Sequence, residues 1–505
     1  MAKAATRLPP PRTFYWHDYE TWGSDPRCDR PCQFAGLRTD AHLNELGPAE
    51  PPLVRFCRPA TDFLPSPDAC LITGLTPQQA EREGVIEAVF AAEIQQQLAR
   101  PGTCSVGYNS IRFDEEVSRF LFYRNFLDPY AHTWRHDTSR WDLIDVARLA
   151  HALRPDGIDW PRQPDGAPSF KLEHLSVAND IPHQGAHDAL ADVRATLALA
   201  KRLRAAQPRM FDYALALRDK ERVRELLEPG QPVLHVSAKY AAERGCIAPI
   251  MVVAPASTED KNAVIVWDLR EDPSELFGLS PEDIRQRVFT RAEDLPPGVR
   301  RLPLKKLRLN ASPMVAPMST LSPVAAERWD IDPVRVEQHW NAFAADAKAV
   351  ARVAQALHTA FARSDTAGAL DPDQALYGGF LTDADQRLIA QVRDMTPQAL
   401  AQAHLPFKDP RLPVLLLRYR ARNWPESLGA REAEQWEAWR QQRLCEEGQG
   451  CGLSPRQYRQ RLAELRAEHA ADPRRLRLLS ELEDWPQRIN VTHGEDRPLV
   501  MAPGQ

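Results

Sequence analysis

The sequence predicts a multidomain protein: an α/β domain first, a strand-rich module second and a helical region last. Three observations carry that expectation. The chain has 505 residues, more than one ordinary core holds at about 100–200 residues per domain. Through residue 206, apolar runs of strand length alternate with segments of helical periodicity. After Ala206 strands separated by turns take over, and from about Pro333 Ala-rich and charged helical segments dominate. The expected boundaries are a disordered lead-in over 1–12, an α/β domain over 13–206, a β-module with helices over 207–363 and a helical domain over 369–495.

Composition narrows the class. Apolar residues make up 43% and charged residues 26% of the chain, as in ordinary globular proteins. The formal net charge is −5, so any nucleic-acid site is a local basic groove rather than a global field. No run of about 18 apolar residues exists to span a membrane. The N-terminus carries Lys3 and Arg7 but no apolar stretch of a signal peptide. A cytoplasmic protein is expected. The eight cysteines form no disulfide framework and show no paired zinc spacing, so reduced thiols are expected.

The first strand is Phe14-Tyr15-Trp16-His17-Asp18-Tyr19-Glu20-Thr21. Its aromatic and β-branched residues, between prolines and Gly23, read as a buried strand. Asp18 and Glu20 are two apart and so share one face. Paired acids on a hydrophobic strand are costly without a cation between them, and hard divalent cations take oxygen ligands. The alternative is an edge strand with two solvated acids. Residues 33–39 and 52–57 are further strand-length runs, completing an antiparallel meander with the first. Thr76 and Pro77 read as the N-cap and first residue of a helix. A second helix from about Val85 to Leu98 places Phe90, Ile94 and Leu98 on one stripe.

Next comes a short strand ending at Gly107, a polar turn, and a helix opening near Asp114. Asp114 is either a cap or a third carboxylate at the carboxyl end of a strand, where α/β sheets place ligands. Aromatic and basic residues then interleave: Arg119, Tyr130, Trp134 and their neighbours through Trp141. Such interleaving suits single-stranded nucleic acid, with bases stacked on rings and cations along phosphates. An aromatic core with snorkelling arginines is the alternative. Lys171 opens another helix, and Gly185–Val193 opens a long one to about Ala206. His187 and Asp192, five apart, do not share a helical face. They converge if His187 lies in the loop or first turn, which makes His187 a candidate general base.

Asp18-x-Glu20, Asn109-x₄-Asp114 and His187-x₄-Asp192 resemble, in order and spacing, the DEDDh 3′→5′ exonucleases of the ribonuclease-H-like fold. His17–Thr21, Gly107–Asn109, Arg112–Asp114, Phe122–Phe126, Ser139–Asp142 and Leu153–Ile158 are similar to the bacterial exodeoxyribonuclease I family. That resemblance implies processive, Mg²⁺-dependent 3′→5′ degradation of single-stranded DNA to nucleoside 5′-monophosphates, in DNA repair and recombination. It implies a two-metal site held by Asp18, Glu20, Asp114 and Asp192, with Mn²⁺ as an alternative to Mg²⁺ and His187 as the base. Lys171, Arg119, Tyr130 and Trp134, with Glu20, would contact the substrate. Short RNA-trimming enzymes and proofreading subunits of the same fold lack the further domains. A DNA-binding scaffold with a decayed site is disfavoured because all five catalytic positions are filled.

Strands expected at 233–236, 249–254 and 262–269 resemble the family's small β-barrel, Src-homology-3-like domain. The run Arg300–Leu309 contains five basic residues and no acid. Lys306 and Arg308 alternate with Leu307 and Leu309, either an edge strand guarded by lysines or a wall of a DNA channel. Leu376–Phe380 and Tyr419–Pro425 resemble the family's helical C-terminal domain. The family also docks the acidic, apolar-ended tail of single-stranded DNA-binding protein. Arg154 and Tyr213 match that site, offering a cation and an apolar pocket; the alternative is a helix-end cap and a core tyrosine. Ser322 stands where the family can carry a basic residue. A monomer is expected.

Overall fold

In the computed structural model, the described residues are 7–183, 188–227, 230–256, 260–345, 347–361, 370–445 and 452–491. Residues 364–368, between the expected β-module and the helical domain, lie outside them. Among the described residues, ten strands form two five-stranded sheets. The first sheet is built from β1 (Thr13–Thr21), β2 (Pro31–Asp40), β3 (Leu53–Phe56), β4 (Thr103–Gly107) and β5 (Ser139–Asp142), in the order β3-β2-β1-β4-β5. The β1–β2–β3 meander is antiparallel, whereas β4 and β5 run parallel to β1. Helices α1 (Pro67–Thr73), α2 (Pro77–Glu83), α3 (Glu87–Leu98), α4 (Asp114–Arg124), α5 (Leu143–Leu153), α6 (Leu172–Ala178), α7 (Ala189–Ala206) and α8 (Pro208–Ala216) surround it, and α9 (Lys220–Leu226) leads on to the second sheet. This is the ribonuclease-H-like domain.

The local signals act as expected. Thr76 caps α2, its hydroxyl accepting from the Gln79 amide at 3.3 Å, with Pro77 at the first helical position. Phe90, Ile94 and Leu98 form the buried stripe of α3. Ile72 and Thr73 end α1, which Gly74 terminates in the left-handed region at φ 73. The β1 strand is central and almost wholly buried, because it pairs on both sides and α7 packs across it.

The second sheet has β6 (Val233–Val236), β7 (Ile247–Pro255), β8 (Ala263–Asp268), β9 (Leu304–Arg308) and β10 (Met314–Pro317), all antiparallel, in the order β10-β6-β7-β8-β9. It is the Src-homology-3-like domain. Helices α10 (Pro281–Phe289), α11 (Pro323–Arg328), α12 (Pro333–Ala345) and α13 (Ala347–Phe361) accompany it. The last domain is helical: α14 (Asp383–Asp394), α15 (Pro397–Gln402), α16 (Arg411–Asn423), α17 (Ala430–Cys445), α18 (Pro455–Glu468) and α19 (Pro473–Arg488).

Two expectations are corrected. Residues 7–12, expected to be disordered, lie against the fold: the Arg12 amide donates to the Gly102 carbonyl at 2.9 Å, and the Leu8 amide to Asp219 at 3.3 Å. Backbone donors beside α9 and the β4 approach hold a segment whose composition alone promised nothing. The thiols are also not uniformly reduced. Cys32, Cys57, Cys70, Cys104, Cys246 and Cys445 are free, whereas Cys28 is disulfide-bonded. Among the described residues no helix is long and apolar enough to cross a membrane.

Candidate active site

The site is assembled on β1. Strand alternation turns Asp18 and Glu20 to the same face, opposite Ala35 and Gln33 of β2. The first turn of α7 crosses this face and delivers Asp192; Asp188 caps that helix, accepting from the Leu190 amide at 3.0 Å. Carboxylate oxygens of Asp18, Glu20 and Asp192 all lie within 4.8 Å of one another. Asp114 stands outside that trio but beside it. It is the first residue of α4, and its Oδ1 accepts from the Tyr19 amide, between the two β1 acids, at 3.0 Å.

The turn leading to Asp114 is held by Asp142. This carboxylate accepts from the Asn109 amide at 2.8 Å and the Ile111 amide at 3.0 Å. Asn109 adopts φ 63, a left-handed conformation that asparagine tolerates. Asp142 also caps α5, and that reading of a carboxylate before a helix conceals its second task in the sequence. The Tyr108 hydroxyl donates to the Phe170 carbonyl at 2.6 Å. That bond anchors the segment carrying Lys171 to the turn after β4, leaving Lys171 exposed ahead of α6.

The electrostatics are those of crowded, desolvated acids. Burial, and then the charges of Asp114, Glu20 and Asp192, push the Asp18 carboxyl far above its usual range. Glu20 is raised by burial and by Asp192, Asp114 and Asp188. Burial raises Asp114 even though the Tyr19 amide favours its charged form. Desolvation and like charge act in the same direction on all of them. A hard divalent cation supplies what the oxygens lack, so the donor set fits Mg²⁺ or Mn²⁺.

His187 lies outside the described residues. The histidine seen at the cluster is His183, whose Nε2 pairs with Asp192 Oδ1. It was legible only as a second histidine four residues before His187. The other expected contacts are spread out. Trp134 is 62% exposed, with the Arg135 guanidinium 5.2 Å from its ring centre. Tyr130 is half-buried, and Arg119 lies 5.3 Å from its centroid. Arg119 itself is buried and pairs with Glu115 and Glu116 at 3.0 and 2.9 Å. On β9, Leu307 is buried and Arg308 exposed, while Lys306 pairs with Asp260 at 2.9 Å.

Residues 15–200 match the family model of an exonuclease, 218–363 that of the exonuclease I SH3-like domain and 370–489 that of the exonuclease I C-terminal domain. The chain is 42% identical over 483 residues to exodeoxyribonuclease I of Escherichia coli (strain K12), covering 94% of this chain and 98% of that one. It belongs to the exodeoxyribonuclease I family. A moderately thermophilic exonuclease I from Methylocaldum szegediense superposes with a TM-score of 0.89 at 46% identity, covering 94% of this chain and 99% of the other. Exonuclease I of E. coli in complex with a dA16 oligonucleotide gives 0.88 at 40% identity, with the same coverage. A structure of SSB/exonuclease I in complex with an inhibitor gives 0.85 at 39% identity, over 95% of this chain and all of that one.

Away from the acids, Arg154 and Tyr213 line one cavity of about 300 Å³ between α5, α8 and the barrel, together with Leu149, Leu153, Arg209 and Met210. Arg154 Nη1 donates to the Thr320 carbonyl at 3.1 Å and the Tyr213 hydroxyl to Val315 at 2.8 Å. Ser322 caps α11. Arg209, a second cation at this cavity, escaped notice because it sits at a helix start in an unremarkable Pro-Arg-Met run.

Proposed function

We propose that this family member hydrolyses single-stranded DNA processively from its 3′ end, releasing nucleoside 5′-monophosphates in DNA repair and recombination. The observation that carries the reading is the convergence of half-buried Asp18 and Asp192 with buried Glu20, beside Asp114. These four acids would hold two divalent ions, Mg²⁺ or Mn²⁺. When bound, such ions supply an activated water and charge neutralisation at the leaving oxygen. His187 takes the proton of the attacking water; the water oxygen bonds to phosphorus and the P–O3′ bond breaks. The Asp192 partner His183 orients that carboxylate. Lys171, on the rim, faces the phosphate backbone, and Glu20 contacts the terminal nucleotide.

Trp134 and Tyr130 stack bases, with Arg119 supporting the Tyr130 ring from beneath rather than reaching phosphates. The barrel face bearing Lys306 and Arg308 lines the path of the strand. The working unit is a monomer of a 13–206 exonuclease domain, a 207–363 barrel domain and a 369–495 helical domain, acting in the cytoplasm. The cavity at Arg154 and Tyr213 receives the C-terminal tail of single-stranded DNA-binding protein: arginines take the terminal carboxylate and the apolar walls take the last side chain. With Ser322 occupied as a cap, Arg209 supplies the second cation.

The deciding assay uses 5′-labelled single-stranded DNA, duplex DNA and RNA, with Mg²⁺ and with chelator. Stepwise 3′ shortening of single-stranded DNA alone, abolished by chelator, is expected; equal cleavage of RNA, or cleavage in chelator, overturns the reading. His187→Ala is expected to lower turnover by about 10²–10⁴-fold. Arg154→Ala is expected to weaken tail-peptide binding in titration without changing cleavage of bare DNA, and unchanged affinity removes that docking site.

A further inference from the structure

Glu115, the residue after Asp114, is buried and surrounded by bases. Its Oε1 lies 2.9 Å from Arg140 Nη1 and 3.0 Å from Arg119 Nε, and its Oε2 lies 3.2 Å from His132 Nε2. One step along a helix turns a side chain by about 100°, so Glu115 faces away from the acid cluster and is not a ligand of it.

Two of its partners lead into the other domains. Arg140 Nη2 donates to the Asn310 carbonyl at 3.0 Å, and the Ser312 hydroxyl donates to the Arg140 carbonyl at 2.9 Å. The β9–β10 loop of the barrel is therefore bound at both the side chain and the backbone of Arg140. Arg119 Nη1 donates to the Tyr377 hydroxyl at 3.2 Å, which itself donates to Glu116 at 2.6 Å. Tyr377 ends the 3₁₀ helix Pro372–Tyr377 of the C-terminal domain, and its ring meets Phe120 edge-on at 5.8 Å. Helix α4, which begins with Asp114, is thus gripped by the barrel on one flank and the C-terminal domain on the other.

We infer that Glu115 is a positioning residue through which both accessory domains set α4, and with it Asp114, for metal binding. Three bases on one buried carboxylate leave it little rotational freedom. The rigid first turn transmits that restraint to the neighbouring residue. Outer partners that orient metal ligands typically change metal affinity by about 10–100-fold when altered. The inference rests on the metal-site reading above.

The test measures Mn²⁺ binding directly, from the free-ion electron paramagnetic resonance signal, on the full-length protein and on Glu115→Gln, Arg140→Lys and Tyr377→Phe. Each variant is first checked by thermal melting. Glu115→Gln and Arg140→Lys are expected to bind Mn²⁺ about 10-fold more weakly while melting cooperatively. Tyr377→Phe, which keeps the ring and loses only the hydroxyl, is expected to weaken binding about threefold. Folded variants with wild-type Mn²⁺ affinity overturn the coupling, since a merely structural ion pair changes melting alone. Should Glu115→Gln fail to fold, the other two decide. No Mn²⁺ binding by the wild type removes the metal site itself, and the coupling with it.

Discussion

Two buried acid clusters in this protein are opposites. At the β1 face, Asp18, Glu20, Asp114 and Asp192 crowd together, and burial with nearby like charge raises the affinity of Asp18, Glu20 and Asp114 for protons. Where the exonuclease domain meets the C-terminal helices, Asp62, Glu87 and Asp373 are more fully buried but threaded with arginines. Asp62 lies 3.2 Å from Arg30 and 2.9 Å from Arg422, and Arg422 reaches Asp373 at 2.6 Å. Arg30 also pairs with Glu87 at 3.0 Å. Burial alone would raise these carboxyls, yet the guanidinium groups hold Asp62 and Asp373 far below their ordinary range and Glu87 below it. The difference teaches what burial of an acid means. A cluster that carries its own cations is a staple between domains; one without them is a socket for a cation from outside.

The largest expected effect separates activity from stability. Asp18→Asn should reduce cleavage to background in a labelled-strand assay while the metal-free protein melts no lower than wild type, because a repelling charge is removed. A lower melting temperature would mean that the socket is a structural pair after all. Asp62→Asn should do the reverse. It leaves Arg30 and Arg422 underpaired and should destabilise the protein by about 3–5 kcal/mol in denaturant unfolding, with folded material still cleaving DNA. A change below about 1 kcal/mol would deny the staple.

The pH dependences should differ in sign. The raised acids bind more protons folded than unfolded, so the stability of the chelated protein falls as pH rises from about 4 towards neutrality. The depressed Asp62 cluster contributes stability that is complete above about pH 4 and is lost as pH falls below it. Differential scanning calorimetry in chelator should therefore show melting declining from about pH 5 to about pH 8, and Mg²⁺ should restore more at the higher pH. A Mg²⁺ effect independent of pH would place the metal elsewhere. The smallest effect lies outside both clusters. Trp134→Ala should weaken single-stranded DNA binding by about 1–3 kcal/mol in fluorescence anisotropy, and equal loss for duplex DNA would count against stacking.

Much of this was determined by the sequence. Period-2 alternation already put Asp18 and Glu20 on one face of a strand, and Thr76-Pro77 already started a helix, because these features depend on neighbours along the chain. The order of acids from Asp18 to Asp192 likewise marked the chemistry. Tertiary structure alone decided the partners. That Asp62 meets Arg422, 360 residues away, and that Glu115 ties Asp114's helix to Tyr377 follow from which surfaces the domains bury against each other; that His183 reaches Asp192 follows from the path of the chain into α7. A charged side chain looks the same in sequence whether it is solvated, paired or left in want of a cation. Only its packed surroundings set the desolvation and the nearby charges that distinguish these states.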